Sequence, residues 1–209
     1  MRIALEHSLP EREYGAIGRL LDGGAVGIVA PRIETVSEAR SIAAACRFPP
    51  RGQRSQIATV PQLGMRPAPA GVLNPLLDEA TIVQILLETS SGIANADAIA
   101  QIDGVDMLAI GVNDLTAELG VPGEYADRRV RDAIAAVAEA CKRHAKLLMV
   151  GGVSDLETVA SFAALGVCPL QLTGMDTDLV FAEAQARASK WVAWHEALVA
   201  RASDGQELR

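Results

Sequence analysis

Two carboxylates stand where chemistry is done in parallel α/β proteins. Glu88 closes the apolar run TIVQILLE, and Asp114 follows Asn113 directly after the run DMLAIGV. Continuous apolar runs of this length read as buried parallel strands, and such folds place their functional residues at the carboxyl ends of the strands. If the two strands are neighbours, both acids project into one mouth. Two carboxylates at close range resist joint ionisation unless a cation sits between them. A hard divalent ion such as Mg²⁺ or Mn²⁺ accepts all-oxygen ligation and removes the repulsion. A structural use competes with that one: Asp114 as the cap of the helix LTAELG, and Glu88 as the start of the helix that follows it. Gln84 lies four residues before Glu88 and so faces the same side of its strand. Gly111 and Gly120 flank the Asp114 turn, where glycine permits close approach of backbone to a ligand.

The elements that must hold these residues alternate along the chain. Strand-like runs fall at residues 2–7, 26–31, 81–88, 106–112, 146–152 and 168–174. Helical stretches fall between them, at 12–24, 36–48, 91–102, 114–120, 127–145 and 154–166, and a long one runs from about Asp178 to Arg201. Ser154 with Glu157 three residues on reads as a capping box. Residues 49–74, rich in Pro and Gly, read as a long irregular loop of the kind that covers a site. The strand-then-helix rhythm predicts right-handed βαβ units. It leaves two architectures, a doubly wound open sheet and a TIM barrel. No GxGxxG follows the first strand, so a dinucleotide fold has no support, and six strands are two fewer than a full barrel holds.

Composition bounds the rest. The chain has 209 residues, half of them hydrophobic, which is enough for one core, and a single domain over 1–209 is the expectation. A net charge of −7 with scattered basic residues argues against a nucleic-acid partner. Cys46, Cys141 and Cys168 are odd in number and widely spaced, which suggests neither a zinc site nor a disulfide framework. No apolar run reaches a membrane span and the N-terminus lacks a signal-peptide core, so the expected location is the cytoplasm with no membrane partner.

Several stretches, in the same order, resemble the HpcH/HpaI aldolase/citrate lyase family. ETSSGIANADAIAQIDGVDMLAIGVNDLTAELG (88–120) is similar to that family's QxET strand end and its GxDxxxxGxxDLSxxxG stretch. CRFPPRGQRS, LLDGGAVGIVAPRIETVSEAR and LTGMDTDLV resemble three further family elements. The resemblance implies a (β/α)₈ barrel that lacks its first two βα units here. It implies divalent-metal-dependent retro-aldol cleavage of a 4-hydroxy-2-oxo acid to pyruvate and an aldehyde, with Mg²⁺, Mn²⁺ or Co²⁺ as cofactor; the rival readings are a silent member that binds metal and keto acid, and a CoA-thioester lyase of the citrate-lyase branch. Glu88 and Asp114 match the metal ligands. Asn113 matches a position whose backbone contacts substrate, and Asp22 matches an acid that works beside the family's catalytic histidine.

The chain also departs from the pattern. The segment that the resemblance expects to bear that histidine has no match in these residues, which leaves three readings open: a start at a late methionine, a paralogue without catalysis, or His7 as the replacement base. The arginine that binds pyruvate would fall near His7-Ser8, and none stands there. The glutamine expected two residues before Glu88 is Leu86, with Gln84 as the candidate substitute if the strand shifts. His144 reads as a favourable charge at a helix C-terminus. On the last helix, Phe181, Ala184, Ala188, Trp191, Trp194 or His195, and Leu198 can share a face. That face either packs on its own barrel or, as the resemblance implies, crosses a subunit interface in a homo-oligomer, a trimer or hexamer.

Overall fold

The computed structural model describes residues 14–153, 155–170 and 176–203. The elements in order are α1 (Tyr14–Asp22), β1 (Gly27–Ala30), α2 (Val36–Cys46), a 3₁₀ turn (Pro61–Leu63), α3 (Ala70–Ala80), β2 (Ile82–Leu87), α4 (Ser90–Ala94) and α5 (Ala96–Ala100). They continue with β3 (Met107–Gly111), α6 (Val112–Glu118), α7 (Arg128–Arg143), β4 (Leu147–Gly151), α8 (Leu156–Ala163) and α9 (Asp176–Ser203). The chain divides into two compact units, residues 1–171 and 172–209.

In the first unit the four described strands form one parallel sheet in the order β1-β2-β3-β4. Ile85 pairs with Ala30 on one side and Leu108 on the other, and Ile110 pairs with Val150. Period-two alternation then sorts the side chains. Ile28, Val83, Ile85, Leu87, Leu108, Ile110, Leu148 and Val150 point to the face that packs on helices, meeting Ile17, Ile42, Ile99, Ile134 and Val137. Met107, Ala109 and Met149 point to the opposite face, with Ile82, Leu86 and Cys168 packed beside them. Sequential strand order with the helices on one face is the wall of a barrel, not a doubly wound sheet, which reverses its order and carries helices on both faces. The same arrangement explains the double-sided apolar character of the strands.

Local signals explain several helix starts. Thr35 and Glu38 form the capping box that starts α2: Thr35 Oγ1 accepts from Glu38 N at 3.2 Å, and Glu38 Oε2 accepts from Thr35 N at 2.9 Å. Asp127 and Asp155 cap α7 and α8 in the same manner, each accepting a backbone N–H of its own first turn. The cap expected at Ser154 lies outside the described residues, and Asp155 holds the described end of α8. The helix expected over 91–102 is two short ones. Asn95 breaks it, because its side chain donates to Glu34 O at 2.8 Å across the mouth of β1.

The expected loop over 49–74 is partly ordered. α3 begins inside it and tolerates Pro75 within its run, where Leu73 and Leu77, one turn apart, close a small cluster with Phe48 and Val60. The expected first strand, residues 2–7, lies outside the described residues. So does most of the sixth, although Cys168 N donates to Leu148 O at 2.8 Å, as the start of a next strand would. In the second unit, α9 is one 28-residue helix, with Trp191 and Trp194 edge to face at 5.5 Å between ring centroids. Among the described residues, no helix is long and apolar enough to cross a membrane.

Candidate functional site

The carboxyl ends of β1, β2, β3 and β4 form a continuous arc, occupied in turn by Arg32, Glu88, Asn113 with Asp114, and Gly152. Glu88 leaves β2 on the face opposite the helices. Asp114 sits in the first turn of α6, which begins where β3 stops at Gly111. The structural uses that compete for these acids are taken by their neighbours. Thr89 caps α4, accepting from Gly92 N at 3.1 Å, so Glu88 is no cap. The cap position of α6 is Gly111, with no side-chain cap bond, so Asp114 is not a cap either.

The two carboxyl groups come within hydrogen-bonding reach of each other. Burial pushes the proton affinity of Glu88 up, and the Asp114 charge raises it further. The Arg32 backbone N–H, which donates to the Glu88 carboxylate, and the Arg32 charge act the other way without cancelling it. Glycines clear the space. A Cβ on Gly111 would stand 2.6 Å from Glu88 Oε1. A Cβ on Gly152, whose φ is +95°, would stand 2.9 Å from Asn113 Nδ2. The Asn113 amide is held from the other side by Tyr125, whose hydroxyl donates to Oδ1 at 2.7 Å. Ser90 N donates to Glu118 at 2.6 Å, which ties the turn after β2 to α6.

The structure therefore brings Glu88, Asn113 and Asp114 together. It does not bring Gln84 to them. The strand keeps its register, with Gln84 between Val29 and Met107, so Leu86 separates Gln84 from Glu88 on that face. Gln84 is 4% exposed and its Nε2 has no partner. Asp22 ends α1 before β1 begins, and so lies toward the opposite, N-terminal end of the sheet. There it accepts from Arg54 at 2.8 Å. His7 lies outside the described residues. His144 contacts Asp97 at 3.0 Å at the C-terminal end of α7, where sequence reading placed it as a favourable charge.

Tyr125 carried no signal in the sequence. It lies in an irregular turn, and only the folding of that turn over α6 brings it to Asn113. Arg32 was hidden differently: it sits in a stretch singled out for its likeness to other sequences, but nothing local says that it borders Glu88.

A pair of hard oxygen donors with a shared excess of negative charge and no side chain at Gly111 to crowd it suits a divalent cation. No group of three or more Cys, His, Asp and Glu side chains gathers among the described residues, so the remaining positions of such an ion would fall to water and substrate.

Residues 9–206 match the sequence model of the HpcH/HpaI aldolase/citrate lyase family. The chain belongs to that family. It is 39% identical over 150 residues to the 4-hydroxy-4-methyl-2-oxoglutarate aldolase of Hapsidospora irregularis, covering 71% of this chain and 56% of that one. It is 31% identical over 186 residues to the 4-hydroxy-2-oxovalerate aldolase of Rhodococcus jostii, covering 88% and 69%. An HpcH/HpaI aldolase from Desulfitobacterium hafniense superposes with a TM-score of 0.74 at 20% identity, covering 84% of this chain and 68% of that one. A family member from Burkholderia cenocepacia gives 0.68 at 27%, covering 87% and 70%. The fold is that of the family's TIM-type barrel, and the four strands are part of its wall. The chain spans little more than half the length of the first of these relatives, 56%.

Proposed function

We propose that this protein is a divalent-metal-dependent carbon–carbon lyase that cleaves a 4-hydroxy-2-oxo acid to pyruvate and an aldehyde. The observation that carries the reading is the Glu88–Asp114 pair, two acids at adjacent strand ends that no cap or ion pair among the described residues claims. Glu88 and Asp114 would hold Mg²⁺, Mn²⁺ or Co²⁺. When bound there, the cation supplies Lewis-acid polarisation of the substrate's keto oxygen. The chain's own contribution is to keep both carboxylates aimed into one mouth, with Gly111 leaving room for Glu88 and Tyr125 fixing the amide beside Asp114. The names of the relatives, aldolases of 4-hydroxy-2-oxo acids, support the same substrate class.

The proposal includes a cytoplasmic homo-oligomer, a trimer or hexamer with α9 at an interface. Its support is the exposure along α9 of Phe181 at 65%, Trp191 at 69% and Trp194 at 56%. Asp22 stands at the far end of its own sheet, so it would serve the mouth of a second copy. His7 is the candidate base.

A second reading is a relative that binds metal and keto acid without turnover. It is favoured by one observation: the one described histidine of the first unit, His144, lies at the C-terminal end of α7 and not at the mouth. One experiment separates the readings. Pyruvate release from a 4-hydroxy-2-oxo acid is coupled to a dehydrogenase with Mn²⁺ or Mg²⁺ present, and Mn²⁺ binding is measured alongside. Turnover that disappears in Glu88→Ala and Asp114→Ala is the result expected of the lyase. Binding without turnover selects the second reading, and a wild type that binds no metal removes both.

A further inference from the structure

We infer that Arg32 is the carboxylate-binding residue of this mouth, holding a carboxylate of an anionic 2-oxo acid beside the Glu88–Asp114 pair. The inference rests on the metal-binding, keto-acid reading above and adds a residue that the reading does not assign. The turns that follow the four described strands carry Glu34, Glu88, Asp114, Glu118, Glu124, Asp127 and Asp155, and Arg32 is the one Lys or Arg among residues 31–35, 88–90, 112–127 and 152–155. An anion that approaches this arc meets acids after every strand and a basic side chain only after β1.

Arg32 is built into its place rather than draped over it. Its φ is +56°, in the left-handed region that L residues other than Asn and Asp rarely occupy. That turn directs its backbone N–H to the Glu88 carboxylate, while Ile33 N resumes the ladder on Leu86 O at 3.2 Å. The residue is exposed and among the described residues makes no close ion pair, its charge acting on Glu88 from farther off, in contrast to Arg47 and Arg54, which are buried in theirs. A planar guanidinium beside a two-acid site matches a substrate carboxylate bidentately, and a lysine does not reproduce that geometry. A strained backbone that fixes an exposed cation beside the two acids is the arrangement of a binding group.

The test uses the Mn²⁺-loaded protein and two probes that differ in one feature: pyruvate, and butane-2,3-dione, a diketone without a carboxylate. Binding of each is measured by calorimetry on the wild type, Arg32→Gln, Arg32→Lys and Arg32→Gly. Glycine relieves the positive φ, so Arg32→Gly is expected to melt at or above the wild-type temperature and removes misfolding as an explanation. The expected result is a pyruvate Kd raised about tenfold or more in the Gln and Gly variants, with partial recovery in Lys. The butane-2,3-dione Kd stays within about twofold, and Mn²⁺ affinity is held or tightened because a neighbouring cation is gone. Equal losses for both probes, or unchanged pyruvate binding in Arg32→Gly, would overturn the assignment of Arg32 and leave the metal site standing. A wild type that binds Mn²⁺ but not pyruvate, or neither, overturns the keto-acid reading and this inference with it.

Discussion

The two ends of the sheet treat charge in opposite ways. At the N-terminal end Arg47, 3% exposed, has both terminal guanidinium nitrogens engaged, although its Nε is buried without a partner: it donates to Thr81 O at 2.8 Å, Gly104 O at 2.9 Å and Asp106 Oδ2 at 2.6 Å. Asp106 in turn accepts from Val83 N at 2.7 Å, and Asp78 accepts from Phe48 N at 3.0 Å. Arg54 meets Asp22 at 2.8 Å with its guanidinium 4.6 Å above the Phe48 ring. At the C-terminal end two acids face each other, and Glu88 is pushed to hold its proton. Buried charge that is paired and hydrogen-bonded joins strands to loops. Like charge gathered without a partner works against the fold and makes sense as a place for a ligand. The contrast teaches which end of this barrel wall holds the structure and which is left for chemistry.

The sharpest way to break the comparison is to replace acids at both ends. Glu88→Gln and Asp114→Asn should each lower turnover by roughly 100- to 1,000-fold, the scale of losing a group that stabilises developing charge. Both variants should melt no lower than the metal-free wild type, because each removes repulsion. Calorimetric melting beside the coupled assay checks this; a large loss of stability would place these acids with the structural end.

The converse holds for Arg47→Met. It strands Asp106 and uncaps the carbonyls of Thr81 and Gly104, which should cost about 3–5 kcal/mol in urea unfolding. Mn²⁺ affinity of the fraction that stays folded should be unchanged. Gly111→Ala is a smaller intervention. A methyl group placed 2.6 Å from Glu88 Oε1 must displace that carboxylate, so Mn²⁺ affinity should fall about tenfold with little change in melting.

pH separates the ends more gently. In the metal-free protein Glu88 binds its proton more tightly folded than unfolded, so the folded state holds more protons just above the ordinary glutamate value of 4.5. Stability contributed by this group is therefore present at low pH and is lost as pH rises from 4.5 through the raised folded value, levelling off beyond it. The difference in urea midpoint between wild type and Glu88→Gln, taken from acid to neutral pH, should show this downward slope on top of the opposite slope of the paired surface carboxylates, and saturating Mn²⁺ should remove it. The smallest effect expected is that of Tyr125→Phe, which deletes one hydrogen bond to Asn113 and should cost about 1 kcal/mol in urea unfolding.

Much of the wall and the two acids was legible beforehand. Apolar runs bounded by turn residues located all four described strands, because a strand buried on both faces must be apolar throughout. Glu88 and Asp114 stood out because each breaks such a run where a strand ends. Elsewhere the sequence misled. α3 begins in a segment read as loop, since Pro67, Pro69 and Gly71 signal a break, while the burial of Leu73 and Leu77 against Phe48 outweighs that local preference. Gln84 shared a face with Glu88 as expected, but register kept it deep, and a face alone does not set depth.

What the sequence determined by itself is one-dimensional: which segments are strands, and which acids close β2 and open α6. These follow from spacing and from interactions over three or four residues. The tertiary structure alone decided which ends share a mouth. Parallel pairing puts Arg32, Glu88 and Asp114 on one rim, sends Asp22 to the other, and folds Tyr125 onto Asn113 across a turn. Those neighbours are set by strand order and loop path, which hydrogen bonds between distant segments fix and no local pattern records.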